Sequence, residues 1–214
     1  MKDYIYDNNN SWIVLDIIEQ IHLNSSYLSE IDGATGDGDH GVNMDKGFML
    51  AKEKIPLDSN FTEALKILGR TLVMDIGGSM GPIYGTFFSK LSRTLKSKEE
   101  IDKYLFLDAL KNANQGLLDL AGAKVGDKTL IDTLYPAILS YENAINNNLT
   151  FYQCLYEMKQ GAKSGMESTK DMVAKIGRAS RLGERSKGYL DAGATSCFII
   201  LDTMANSIQK ELAK

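Results

Sequence analysis

Apolar residues recur along most of the chain at spacings of three and four, the period of one face of an α-helix. Val14, Ile17, Ile18, Ile21 and Leu28 predict a helix within residues 11–29. Asn60 followed by Glu63 has the capping-box pattern and opens a helix to about Ile76. Ser97 and Glu100 repeat that pattern before a helix to about Leu120, with Ile101, Leu105, Leu110, Leu117 and Leu118 as its stripe. Thr129 and Asp132 start another, to about Ala144. Amphipathic stretches follow over 150–174 and about 194–212. Short helices after Gly41 and near Met80 bring the count to about eight. Strand alternation is nearly absent. The pattern predicts an all-α fold in which glycine clusters at 33–47, 77–85, 122–126 and 177–193 form the interhelical loops.

Length and composition narrow the class. The 214 residues predict one domain over 1–214 with a sizeable core. Hydrophobic residues at 43% and charged residues at 24% exclude wholesale disorder. No apolar run approaches the roughly 18 residues of a membrane span, and the polar, acidic start MKDYIYDNNN reads as neither signal nor transit peptide. Cys154 and Cys197 lack CxxC spacing, so they read as buried small hydrophobes, not as a zinc or disulfide framework. His22 reads as a helix-face residue. These features predict a cytoplasmic protein without a membrane partner. The net charge of -4 gives no reason to expect nucleic acid.

The most informative stretch is Ile31-Asp32-Gly33-Ala34-Thr35-Gly36-Asp37-Gly38-Asp39-His40-Gly41-Val42-Asn43-Met44. Residues two apart in an extended segment share a side, so Asp37 and Asp39 can converge. Their repulsion calls for a neutralising partner. Mg²⁺ takes carboxylate oxygens and keeps sites for phosphate oxygens, glycines admit close approach of a ligand, and a helix starting at Gly41 favours phosphate at its N-terminus. His40 and Asn43 are placed to donate there. Three other patterns compete for this stretch. Gly36 to Gly41 formally matches GxGxxG, but no buried strand precedes it. An EF-hand counted from Asp37 fails, because Val42 and Phe48 hold its glycine and glutamate positions. A solvated turn with aspartates as helix caps is the plain structural alternative.

The other clusters are less specific. Gly77-Gly78-Ser79-Met80-Gly81 matches GxSxG, yet both histidines, His22 and His40, precede Ser79, which argues against a serine hydrolase. It reads better as a turn offering N–H groups to an anion, or as close helix packing through glycine. Gly122-Ala123-Lys124-Val125-Gly126-Asp127-Lys128-Thr129 is a near-miss for a Walker A loop; Asp127 and Thr129 read as caps, and Leu130 could face a base. The segment 175–188 carries Lys175, Arg178, Arg181, Arg185 and Lys187 against Glu184 alone. It can hold a polyphosphate or stabilise a phosphoryl group in transfer, or be a solvated loop. Asp191 either accepts from a ligand or caps the last helix. Together these loops suggest a Mg-nucleotide site at one end of a helical bundle, provided all four meet there.

At this level the chain resembles the family of ADP-binding L subunits of bacterial dihydroxyacetone kinases. The carriers are Gly36–Met44, Gly77–Phe88, Gly126-Asp127-Lys128-Thr129, and Gly177-Arg178-Ala179-Ser180 followed by Leu182–Ser186. The resemblance implies a barrel of eight antiparallel helices with the nucleotide at one mouth. It implies two Mg²⁺ ions held by Asp32, Asp37 and Asp39, and phosphate contacts from His40, Gly41, Val42, Asn43, Ser79 and Met80. It further implies a base near Ala121 and Leu130, and closure by Arg178 and Asp191, Ala192 and Gly193. Asp32, Asp37, Asp39 and Arg178 would carry the catalysis. ADP would stay bound, be rephosphorylated by an M-type phosphotransferase-system subunit, and pass its γ-phosphoryl to a ketone on a K-type subunit. A chain ending after this domain should not phosphorylate the ketone alone. A nucleotide-dependent regulatory binding protein, partnered with a transcription regulator, is the alternative from another class; the nucleotide half of an ATP-dependent ketose kinase is a third. Met80 stands where the family usually has serine, Arg181 where an aromatic is frequent, and Tyr189–Gly193 departs from the usual pattern, which leaves the ketose open.

Overall fold

The structure, a computed structural model, describes residues 2–214. Nine α-helices account for most of them: α1 Trp12–Leu23, α2 Ser25–Gly33, α3 His40–Lys52, α4 Phe61–Asp75, α5 Met80–Leu95, α6 Lys103–Ala121, α7 Ile131–Asn146, α8 Phe151–Ser168 and α9 Ala192–Leu212. Eight of them close into a ring. From α3 to α9 each helix packs on the next, α9 packs on α1, and α1 packs on α3. The short α2 lies against α3 and α9. The fold is therefore all-α, as the pattern predicts, and it is the barrel of antiparallel helices that the resemblance implies.

Each ring helix turns its apolar stripe inward. Ile13, Val14, Ile17, Ile18 and Ile21 of α1 are buried, as are Phe48, Phe61, Phe88, Phe106, Tyr141 and Phe151. Burying a large apolar side chain stabilises by about 1.5–3 kcal/mol, far more than propensity differences contribute. Ring packing thus fixes these helices. Cys154 and Cys197 are buried and free, as expected. Among the described residues no helix is long and apolar enough to cross a membrane.

Several expectations need correction. The helix expected over 11–29 breaks at Asn24, whose non-helical ψ of 7° separates α1 from α2. Ser97 and Glu100 form no capping box: Ser97 has a φ of +63°, and Glu100–Asp102 is a strand, β2, paired antiparallel with β1, Tyr4–Tyr6. Asp102 caps α6 instead, accepting from the N–H groups of Tyr104 and Leu105 at 3.0 and 2.8 Å. The helices after Gly41 and near Met80 are full ring members of 13 and 16 residues. The stretch 150–174 ends as a helix at Ser168, and Arg178–Ser186 coils into 3₁₀ turns. Asn60 caps α4, accepting from Glu63 N–H at 2.8 Å, but the expected box is only half formed, because the Glu63 carboxylate accepts from Lys66 instead.

Antiparallel succession sorts the connections by end. Those after α3, α5 and α7 share one end with β1 and the close of α9: β1 pairs with β2, Lys2 N–H donates to Leu212 O at 3.4 Å and Ser11 N–H to Ser59 O at 3.0 Å, and the Lys103 ammonium donates to Leu149 O at 2.8 Å. Residues 34–39, 76–79, 122–130 and 169–191 lie at the other end, which is where the four motifs fall. Helices α3, α5, α7 and α9 begin there, so four N-terminal dipole ends face it.

Candidate functional site at the motif-bearing end

The acidic loop is shaped by two glycines. Gly38 has a φ of +76°, a left-handed conformation that strains other residues. A Cβ at Gly36 would lie 2.5 Å from Asp32 Oδ1, so only glycine leaves room for that carboxylate. One oxygen from each of Asp32, Asp37 and Asp39 comes within 4.8 Å of the others. Arg178, from the 169–191 segment, pairs with Asp37 and lies 3.7 Å from Asp39. Asp39 precedes α3 but makes no side-chain cap bond, so its carboxylate is not consumed as a helix cap. Asp32, by contrast, accepts from His40 N–H at 3.4 Å, so one carboxylate of the three also serves the start of α3.

Behind the loop lies a buried polar network. His40, at the start of α3, places Nε2 2.9 Å from Ser196 Oγ on α9. Tyr84 of α5 reaches the same hydroxyl at 2.5 Å and donates to Gly193 O at 3.2 Å. Burial pushes the His40 pKa down to about 4, with the Asp32 carboxylate opposing, so the ring is neutral near pH 7. Burial likewise pushes the Tyr84 hydroxyl well above its usual range.

The remaining loops interlock. Asp132, buried in the first turn of α7, accepts from Gly126 N–H at 2.5 Å and Thr129 N–H at 2.8 Å, tying down 126–129. Asp132, not Thr129, thus secures this helix start, although Thr129 Oγ1 accepts from Ile131 N–H at 3.2 Å. The Lys128 ammonium donates to the carbonyls of Met172, Ser186 and Tyr189 at 3.2, 2.5 and 2.7 Å, and burial lowers its pKa against the opposing pull of Asp191. Asp191 caps α9, accepting from Ala194 N–H at 2.7 Å. Burial raises its pKa to about 6; that hydrogen bond and Lys128 pull it back.

The expected site residues therefore fall into groups. Asp32, Asp37, Asp39 and Arg178 meet at one point. His40 and Gly41 are buried at the start of α3, Asn43 is half-buried, and Val42 is exposed. Leu130 is buried and adjoins Gly193, where an added Cβ would lie 3.6 Å from Leu130 N; Ala192 is buried beside it. Ser79 and Ala121 are exposed at the same end, and Met80 packs partly against the core. Sequence reading missed Ser196 and the burial of Lys128. A serine inside an amphipathic helix carries no signal of its own.

The donor set suits a hard divalent cation, because three acidic groups offer oxygens at one point. It also suits phosphate, because helix N-termini and a guanidinium surround that point. The two shifted groups behind it give a pH test. His40 binds its proton more weakly folded than unfolded, so it withdraws stability as pH falls from about 6.5 to 4. Asp191, with a raised pKa, contributes oppositely between about 3.8 and 6. Asp191→Asn should remove the compensation, and urea melts across this range should show the variant losing more stability on acidification than the parent.

The DAK2-domain profile matches residues 34–206. The PEP-dependent dihydroxyacetone kinase, ADP-binding subunit DhaL, of Escherichia coli is 35% identical over 85% of this chain and 87% of its own length. The ADP-binding subunit DhaL of PEP-dependent dihydroxyacetone kinase 1 of Listeria innocua is 36% identical over 88% and 90%. Among solved structures, the C. freundii dihydroxyacetone kinase in complex with AMP-PNP and Mg²⁺ superposes with a TM-score of 0.68 at 24% identity, covering 92% of this chain and 33% of that one. That likeness concerns the fold.

Proposed function

Because the chain belongs to the DAK2-domain family, we propose that it is an Mg-ADP-binding phosphoryl-transfer subunit of a dihydroxyacetone or related short-ketose kinase. The observation that carries the reading is the convergence of Asp32, Asp37 and Asp39 with Arg178 where four helices begin. The three aspartates hold two Mg²⁺ ions. His40, Gly41, Val42 and Asn43, with Ser79 and Met80, bind the phosphates; Ala121 and Leu130 line the base, with Asp191, Ala192 and Gly193 alongside. When bound, Mg-ADP supplies a phosphate tail that takes up and gives away a phosphoryl group. The chain's own part is positioning and charge neutralisation, the terms that dominate phosphoryl transfer. Neutral His40, held by Ser196, offers a hydrogen-bonding ring without adding charge. Arg178, on an exposed turn, can leave the carboxylates to meet charge developing on a phosphoryl group.

The one domain works in the cytoplasm with two partners, a K-type subunit holding the ketone and an M-type subunit of the phosphotransferase system. Reconstitution tests this. The chain mixed with K-type and M-type subunits, phosphoenolpyruvate and the general phosphotransferase proteins should phosphorylate dihydroxyacetone with ADP in only catalytic amount. Phosphorylation driven by excess ATP alone, indifferent to the M-type subunit, would contradict the donor assignment. Nucleotide binding without phosphoryl flux in either mixture would contradict the enzyme reading.

A further inference from the structure

The side chain of Lys128 is the one ammonium buried to 2% exposure among the described residues. Its backbone φ is +63°, a region a lysine adopts only where its surroundings impose it. No carboxylate lies within ion-pair distance among the described residues; the three N–H donors are instead matched to three carbonyls, of Met172, Ser186 and Tyr189. None of the acceptors belongs to a ring helix. Met172 lies on the outgoing leg of the 169–191 segment, and Ser186 and Tyr189 on its returning leg. Further bonds join the legs: Ser186 Oγ accepts from Ala174 N–H at 2.9 Å, and Gly188 N–H donates to Lys170 O at 2.7 Å. Arg178 sits on the turn between them. Lys175, on the outgoing leg, also donates from its N–H to Asp127 O at 3.1 Å, in the loop that carries Lys128.

We propose that Lys128 is a positioning residue for phosphoryl transfer: by gathering the carbonyls of both legs around one ammonium, it fixes where Arg178 stands over the aspartates. The proposal rests on the transfer role of Arg178 given above. An apolar side chain could fill the same space, but it would leave three carbonyls unpaired and the legs free to part. Since small misplacement of a reacting group costs about 10²-fold in rate, Lys128 acts on the rate through a side chain it does not touch.

The test is a double-mutant cycle on the full chain in the reconstituted system, with Lys128→Met, Arg178→Ala and both together. Lys128→Met should slow transfer about 10²-fold, and on the Arg178→Ala background it should slow it no further. Amide hydrogen exchange should quicken over 172–189 and stay unchanged in the ring helices. Equal losses on both backgrounds, or wild-type transfer by Lys128→Met, would overturn the proposal. Wild-type transfer by Arg178→Ala would instead overturn the reading it rests on. If Lys128→Met does not fold, Lys128→Gln replaces it in the cycle. Loss of the cooperative melt in both overturns the proposal, since Lys128 would then be a requirement of the fold.

Discussion

Asp37→Asn and Asp39→Asn each abolish the Mg²⁺-dependent part of ADP affinity, a loss of about 100-fold or more. Asparagine keeps the size and one oxygen of aspartate but not the charge, so what is lost is ligation and neutralisation, not shape. The native cluster brings three carboxylate oxygens within 4.8 Å. Two like charges at 4 Å repel by about 1 kcal/mol in water and about 4 kcal/mol at a protein-surface dielectric. Arg178 offsets part of this, and a divalent cation offsets more, which is why the cluster should bind metal and nucleotide cooperatively. Isothermal titration with ADP, in Mg²⁺ and in EDTA, measures the difference. Wild-type protein should bind far more weakly in EDTA, while each variant should bind equally weakly in both. Variants that keep the Mg²⁺ dependence would remove the metal assignment. Melting temperatures without metal should stay level, because the substitution removes a repulsion among the carboxylates along with an attraction to Arg178.

Arg178→Ala should lower phosphoryl transfer about 10³-fold, the scale on which a guanidinium supplied to the transferring group acts. It should leave the melting temperature and ADP affinity close to wild type. The side chain is 56% exposed and pairs with surface carboxylates, and exposed ion pairs contribute about 1 kcal/mol or less. Rate and stability therefore separate. Single-turnover transfer in the reconstituted system gives the first and thermal melts the second. Parallel loss of both would mean that the arginine serves the loop and not the reaction.

How much of this was legible in the sequence depends on range. Helix periodicity reports one face of one segment, so ring helices such as α4 and α9 were readable from their own apolar positions. Their closure into a ring is not local: it rests on α9 packing against α1 and α1 against α3, and only the family resemblance implied it. Strands β1 and β2 are three residues each, too short to show alternation, and they pair across the whole of α1–α5. The acidic loop was readable because its chemistry is local, with three aspartates within eight residues. The His40, Ser196 and Tyr84 network was not, since its members stand 112 and 156 residues apart. Lys128 shows the same limit. Its motif drew comparison with a phosphate loop, but its direction depends on a left-handed backbone and on carbonyls 44 to 61 residues away.

Native mass spectrometry of the intact chain, equilibrated with ADP and Mg²⁺ and then desalted, puts the central assignment to the most direct test. The expected species carries one ADP and two Mg²⁺, and EDTA should strip metal and nucleotide together. A protein that retains ADP without metal, or keeps it through EDTA, would contradict the account.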